Sequence, residues 1–247
     1  MKTKSGNLLM AGLSDRERRI LERRSTPVDL ERGTWLAESG TLMSHVYFPL
    51  SGVYSALGST ENGQVEIGTV GNEGMIGIPA FLDDGIGLTE VLVQISGQAL
   101  RLEKDDFQSL AMSMPGLRTV LNHYTQAFLS LAVQSGACNA MHSAEQRCAR
   151  WLLMMHDRVG TNRFPLSQEM LARMLGVRRP TVSLATAGLK AEGAVQFKRG
   201  YVNISSRRTL RAYACDCYAT VTAEYKRLLG PHDAPPGGTT QPTTSAA

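Results

Sequence analysis

The chain has 247 residues, of which 43% are hydrophobic and 19% charged, and its formal net charge is +4. It is long enough for one large domain or two ordinary ones, and its composition excludes collagen, a coiled-coil rod and wholesale disorder. No apolar run approaches the roughly 18 residues that span a bilayer, and the N-terminal residues lack the apolar core of a signal peptide. We therefore expect a cytoplasmic protein without a membrane partner.

The four cysteines are Cys138, Cys148, Cys215 and Cys217, and their spacing matches no secreted disulfide framework. In a reducing compartment they stay as thiols, and buried thiols usually serve as small apolar side chains. Cys215 and Cys217 are only a weak indication of a metal or redox element. They are separated by a single residue, whereas the usual spacing for both kinds of site is Cys-x-x-Cys. We expect no metal and no cofactor, and the role of this pair stays open.

Charge is unevenly distributed along the chain. Residues 1–144 carry a net charge of −4, whereas residues 145–213 carry +9. A basic segment beside an acidic one indicates a polyanionic partner for the C-terminal part.

Short strands are predicted between residues 28 and 106. Residues 46–54 are rich in aromatic and β-branched side chains, and residues 91–95 are typical of a buried strand. Asn62 and Gly63 form the dipeptide of a tight hairpin turn. Strands this short, with frequent glycines, favour a barrel or jelly roll.

A long helix with a heptad pattern is predicted after Pro115. Its spacing of 4-3-4-3-4-3-4 is typical of a seam that packs on a second helix, and it comprises Leu117, Leu121, Tyr124, Phe128, Leu131, Ser135, Cys138 and His142. We expect the residues from Leu117 to Leu131 to hold a dimer. The alternative is a long helix that packs on its own sheet.

Residues 166–183 have the anatomy of a helix-turn-helix. Ser167 is suited to cap the first helix, and Ala172 permits a close helix crossing. Gly176 allows the left-handed turn, and Val182 packs back against the first helix.

Two arginines, Arg178 and Arg179, stand at the start of the predicted second helix. Pro180 suits the first helical turn and disfavours helical geometry at Arg179, which we expect in the cap position. Both arginines then lie where a recognition helix meets bases and phosphates. Residues 195–204 predict a hairpin with a cationic tip, typical of a wing; a surface hairpin beside an αα-corner is the alternative.

The whole pattern resembles the Crp/Fnr superfamily of bacterial transcription regulators. The run 176–182 (Gly-Val-Arg-Arg-Pro-Thr-Val) is similar to the family's Gly-x-Ser-Arg-Glu-Thr-Val, and residues 47–52 (Tyr-Phe-Pro-Leu-Ser-Gly) match its β-roll. The resemblance implies that Arg179 reads a guanine and that Thr181 and Lys198 contact phosphate. The expected DNA-binding residues are Ser167, Gln168, Arg178, Arg179, Thr181, Ser183, Lys190, Lys198 and Arg199.

Departures from the family pattern occur both in the helix-turn-helix and in the predicted β-roll. Pro180 stands in place of a base-reading Glu and Leu184 in place of a further base-reading Arg, which leaves the operator sequence open. In the cyclic-nucleotide cassette, Ile78 replaces the ribose-binding Glu, Leu88 replaces the phosphate-binding Arg, and Glu90 would repel a phosphate. We therefore expect an effector other than cyclic AMP.

Other functions remain as alternatives. Iron–sulfur members carry N-terminal cysteines, whereas the first cysteine here is Cys138. A redox- or haem-responsive regulator stays possible, although His45, His123 and His142 are more often structural or surface residues. A cupin-like enzyme needs clustered ligands, and residues 1–112 offer only His45, so we expect no catalytic residues. A dimerising module with a vestigial helix-turn-helix is a third alternative.

The sequence thus predicts an α+β protein in five parts. They are a β-roll sensor resembling the cyclic-nucleotide-binding jelly roll (1–112), a dimerisation helix (113–142), a winged helix-turn-helix (143–213), a C-terminal helix (214–229) and a disordered tail (230–247). The expected function is that of a homodimeric transcription regulator on a palindromic operator. Its expected partners are double-stranded DNA, a second copy and RNA polymerase, and whether it activates or represses is open.

Overall fold

The computed structural model describes residues 6–230, so that most of the tail predicted over 230–247 lies outside the described residues. The N-terminal half contains α1 (Leu8–Ala11), α2 (Asp15–Arg24), β1 (Thr26–Leu30), β2 (Trp35–Ala37), β3 (His45–Pro49), β4 (Val53–Thr60), β5 (Gly63–Val70), α3 (Ile78–Leu82), β6 (Glu90–Ile95), β7 (Gly97–Glu103) and α4 (Lys104–Ser113). The long helix α5 (Pro115–Met141) follows. The C-terminal part contains α6 (Ala144–Val159), β8 (Arg163–Pro165), α7 (Gln168–Leu175), α8 (Arg179–Ala191), β9 (Val195–Lys198), β10 (Tyr201–Ile204), α9 (Arg207–Tyr213) and α10 (Cys217–Leu229). No helix among residues 6–230 is long and apolar enough to cross a membrane.

The strands between residues 26 and 103 form a β-roll of two antiparallel sheets, ordered β1-β7-β3 and β2-β6-β4-β5. Inward-facing side chains such as Phe48, Tyr54 and Val93 are fully buried between the sheets and α5. Thr60 pairs with Gly63, so the predicted hairpin turn is present between β4 and β5. The predicted fold class, a β-roll followed by a long helix and a helix-turn-helix, is confirmed.

The heptad face of α5 packs inside its own protomer. Leu117, Leu121 and Tyr124 are each 1% exposed and Leu131 is fully buried. Phe128 is half-buried and contacts all three large apolar clusters of the molecule. The prediction that these five residues hold a partner helix is therefore wrong, because the β-roll and the neighbouring helices already cover them. The alternative, a long helix packed on its own sheet, describes this face.

The helix-turn-helix part is joined to the β-roll through α6. The indole Nε1 of Trp151 donates to Oε1 of the buried Glu66 over 2.9 Å. Arg158 and Glu73 form a second connection, a mostly buried ion pair at 2.8 Å. Burial raises the pKa of Glu66, while donation from Ser55 opposes that rise. The two parts of the chain thus meet in a buried polar network rather than through a loose linker.

The Trp151→Phe substitution tests this network. It removes one donor to a buried carboxyl group, so we expect the free energy of unfolding to fall by about 1–3 kcal/mol. Equilibrium denaturant unfolding measures the change. Trp35, the other tryptophan, is 43% exposed on β2, and Trp35→Phe serves as the matched control with little expected effect. Equal losses in the two variants would contradict the account.

Candidate functional site

The helix-turn-helix forms as its local signals predict. The hydroxyl of Ser167 caps α7 by accepting from the Met170 amide at 3.1 Å. Gly176 ends that helix in the left-handed conformation, with φ 60° and ψ 39°, which a Cβ would disfavour. Leu171 and Val182 are fully buried in one cluster, so α7 and α8 are held at a fixed crossing.

The leading end of α8 is exposed and cationic. Arg178 has the extended conformation of an N-cap residue, and Arg179 is already the first helical residue. The prediction that Arg179 is the cap is therefore wrong by one position; Pro180 is accommodated in the first turn, where its missing N–H leaves no helical hydrogen bond unmade. Neither guanidinium has an ion-pair partner among the described residues. Both arginines are free to meet an anionic surface.

The exposed face of α8 also carries Ser183 and Leu184, and the Leu184 side chain is 76% exposed. Ser183 Oγ lies 3.5 Å from Gln168 Oε1 at the start of α7, so the structure brings these two expected contact residues together. Thr181 is half-buried, and its amide donates to the Arg178 carbonyl. An apolar Leu184 at the centre of this face is suited to contact the methyl group of a thymine.

The wing is a two-residue hairpin between β9 and β10. Val195 pairs with Ile204, and the turn consists of Arg199 and Gly200, whose φ angles are 49° and 78°. Positive φ at both central residues gives the turn that matches the twist of the strands. Lys198 and Arg199 are exposed at its tip.

Lys190 lies apart from the other expected contact residues. At the rise per residue of an α-helix, Lys190 and Arg179 are about 16 Å apart along the axis of α8. Lys190 Nζ lies 5.1 Å from the centre of the Phe197 ring. Sequence reasoning missed Arg163, whose guanidinium stacks on Tyr201 at 4.6 Å and adds a cation to the wing. The third strand β8, which carries Arg163, pairs with β10 and gave no clear sequence signal.

A cavity of about 310 Å³ lies in the β-roll against α5. Ile78, Leu88, Phe128 and Leu129 are among its mainly apolar lining residues. The Thr125 hydroxyl, on the same lining, is buried without a hydrogen-bond partner among the described residues. No side chain in this lining carries a charge, so the cavity is suited to an apolar molecule with one polar group rather than to a phosphate.

Glu90 lies outside the cavity lining. Its carboxylate accepts from the Ser59 hydroxyl at 2.5 Å and from the Gln64 amide, on the β4–β5 hairpin. The part of the cassette prediction in which Glu90 repels a bound phosphate is therefore wrong, because the side chain is engaged elsewhere. Ile78 and Leu88 do occupy the cavity wall as expected.

Comparison with known families gives two matches in chain order. Residues 27–114 match the cyclic nucleotide-binding domain, and residues 146–213 match the Crp-like helix-turn-helix domain. Together they cover more than half of the chain. Comparison with curated proteins finds no match.

Solved structures of the same architecture are similar over most of the chain. A Crp/Fnr-family regulator from Eubacterium rectale is 14% identical, with a TM-score of 0.66, and the alignment covers 83% of this chain and 96% of that one. FixK2 from Bradyrhizobium japonicum is 17% identical, with a TM-score of 0.66 and coverages of 77% and 98%. The c-di-GMP-responsive regulator CLP from Xanthomonas campestris is 14% identical, with a TM-score of 0.65 and coverages of 78% and 100%.

A Crp-like helix-turn-helix behind a cyclic nucleotide-binding domain defines a class of DNA-binding transcription regulator. The two family matches, in this order and on this fold, place the chain within that class. The chain belongs to the Crp/Fnr superfamily.

The lining of the cavity predicts that cyclic AMP does not bind. Ile78 and Leu88 offer neither an acceptor for a ribose hydroxyl nor a cation for a phosphate. Titration calorimetry at millimolar cyclic AMP should show no saturable heat, whereas an uncharged apolar fluorescent probe should bind. A micromolar dissociation constant for cyclic AMP would contradict this assignment of the cavity.

Proposed function

We propose that the protein is a homodimeric, sequence-specific transcription regulator whose DNA affinity responds to an apolar ligand in the β-roll cavity. The observation that carries the proposal is that Arg178 and Arg179 are exposed at the leading end of α8 and form no ion pair with any residue from 6 to 230, in a domain that also has a wing with a cationic tip. A recognition helix enters the major groove by this end, and a wing follows the backbone.

Within this proposal the contact residues have different tasks. Arg179 bonds a guanine through its planar guanidinium, and Arg178 and Ser183 flank it on neighbouring bases or phosphates. Ser167 and Gln168, at the start of α7, contact the sugar-phosphate backbone of the DNA, as does Thr181. Lys198 and Arg199 contact phosphates from the wing, and Lys190 contributes only charge at the far end of α8.

The dimer is proposed to form through the exposed face of α5, opposite its buried heptad face. Leu129 and Val133 lie on successive turns of this face and are 61% and 66% exposed, and contiguous exposed apolar side chains are typical of interaction surfaces. Gly136 and Ala140 continue the stripe at the same helical spacing, and a Cβ at Gly136 would meet no atom within 4 Å. Small residues permit two helices to approach closely, and a second copy of the same stripe satisfies two-fold symmetry.

The proposed signal acts through α5. Leu129 lines the cavity and also belongs to the exposed stripe, so a ligand in the cavity contacts a residue of the dimer face directly. Ligand binding can shift an equilibrium only through different contacts in the two states. A shift of α5 against its partner supplies that difference.

The Val133→Glu substitution tests the dimer face. It places two like charges in one apolar layer, so we expect monomers at micromolar protein and a loss of operator affinity of about tenfold or more. Light scattering measures the mass and mobility shift measures the affinity. Thr220→Glu, at an exposed position on α10, is the matched control. A dimer that survives Val133→Glu would contradict this face as the interface.

Arg179→Ala and Lys198→Ala separate base reading from phosphate contact. Loss of the Arg179 contact should cost about 1–3 kcal/mol on the specific site and relax preference at one base pair per half-site. Loss of Lys198 should weaken binding to all sequences alike and reduce the salt slope by about 1 per subunit.

Affinities for a selected operator and for random DNA over a range of salt concentrations distinguish the two effects. Arg179→Ala should lower the ratio of the two affinities, and Lys198→Ala should leave it unchanged. Equal losses on both DNAs in Arg179→Ala would make Arg179 a phosphate contact and overturn its assignment as the base reader.

A further inference from the structure

Three cysteines and a histidine converge where the long helix ends. Cys138 lies in the last turn of α5 and His142 caps that helix, while Cys215 and Cys217 lie at the start of α10. Their ligand atoms all lie within 4.8 Å of one another. Cys138 Sγ is 3.6 Å from Cys215 Sγ, and Cys217 Sγ is 3.4 Å from His142 Nδ1.

These separations fit one metal ion at the centre of the group. Zinc–sulfur bonds of about 2.3 Å in tetrahedral geometry place neighbouring ligand atoms about 3.8 Å apart. A polynuclear iron–sulfur cluster holds its cysteine sulfurs farther apart, because several irons lie between them. Three thiolates and one imidazole are a donor set that zinc favours.

Surrounding groups support the ligands in the manner of a metal site. Gln134 Nε2 donates to Cys217 Sγ at 3.0 Å. His142 presents Nδ1 to the sulfurs, and its other nitrogen, Nε2, lies 3.8 Å from the Asp216 carboxylate. A carboxylate behind the second ring nitrogen fixes the orientation of metal-binding histidines.

Arg150 provides an independent observation. It is only 7% exposed, and its Nε and one terminal nitrogen have no hydrogen-bond partner among the described residues. The Arg150 cation is close enough to Cys138 to interact with it electrostatically. A buried cation without a counterion is unfavourable. Three thiolates around a divalent cation carry a net negative charge, which would supply that counterion.

We propose that Cys138, His142, Cys215 and Cys217 form a mononuclear site for Zn²⁺ that fastens α10 to the junction of α5 and α6. Binding releases three thiol protons to solvent as the sulfurs become thiolates. The sequence-based expectation of no metal missed the site because Cys138 lies 77 residues from Cys215. The proposal is independent of the one on DNA binding.

Cobalt substitution of the full-length, reduced protein tests the site. One Co²⁺ per protomer should give thiolate-to-cobalt charge-transfer absorption and the visible bands of tetrahedral coordination, and Zn²⁺ should remove both. Cys217→Ser removes one of the three thiolates and should lower the charge-transfer intensity by at least the corresponding share. Cys148→Ser is the matched control, because Cys148 is fully buried on α6 and outside the group of four.

A second variant tests the proposed zinc site if Cys217→Ser does not fold. The Asp216 side chain is 88% exposed, so Asp216→Asn should fold normally and still lower Zn²⁺ affinity about 10–100-fold in chelator competition. The absence of charge-transfer absorption in the wild type would overturn the proposal. So would equal losses in Cys148→Ser and Cys217→Ser, or a Cys138–Cys215 disulfide in metal-free protein purified without oxygen.

Discussion

One face of α5 packs against the β-roll of the same protomer, and the rest of the structure depends on that burial. Leu117, Leu121 and Leu131 are at most 1% exposed there, and each fully buried leucine contributes about 1.5–3 kcal/mol. Because this face is occupied, the opposite face with Leu129 and Val133 is left exposed. The same helix therefore lines the β-roll cavity, presents the proposed dimer stripe and leads into the helix-turn-helix.

The junction after α5 connects the β-roll with the helix-turn-helix. Ser143 caps α6 directly after His142, so the DNA-binding part follows the long helix with almost no linker. Trp151 and Arg158 on α6 tie this part back to the β-roll through Glu66 and Glu73. The proposed regulation requires that a change in α5, from the cavity or from the proposed zinc site, displaces α6 and the helix-turn-helix behind it.

Local signals made much of this structure predictable from sequence. The Ser167 cap, the left-handed Gly176 and the cationic hairpin tip depend on a few neighbouring residues, and the structure has all three. The heptad pattern identified one apolar face of α5, but a period alone does not tell whether a partner helix or the chain's own sheet covers it. The Cys–His group and the Trp151–Glu66 bond join residues far apart in the chain. Only the tertiary fold brings them together.

Selection of bound sequences from a random DNA pool tests the central claim, that this is a two-fold symmetric, sequence-specific DNA-binding protein. The proposed symmetric dimer predicts an inverted repeat whose half-site centres lie about 34–36 Å apart, one helical turn of DNA, because each of its recognition helices would read one half-site. Footprinting of the selected site should protect both half-sites on one face of the duplex. Enrichment of a single unrepeated half-site, or no enrichment over random DNA at physiological salt, would contradict it.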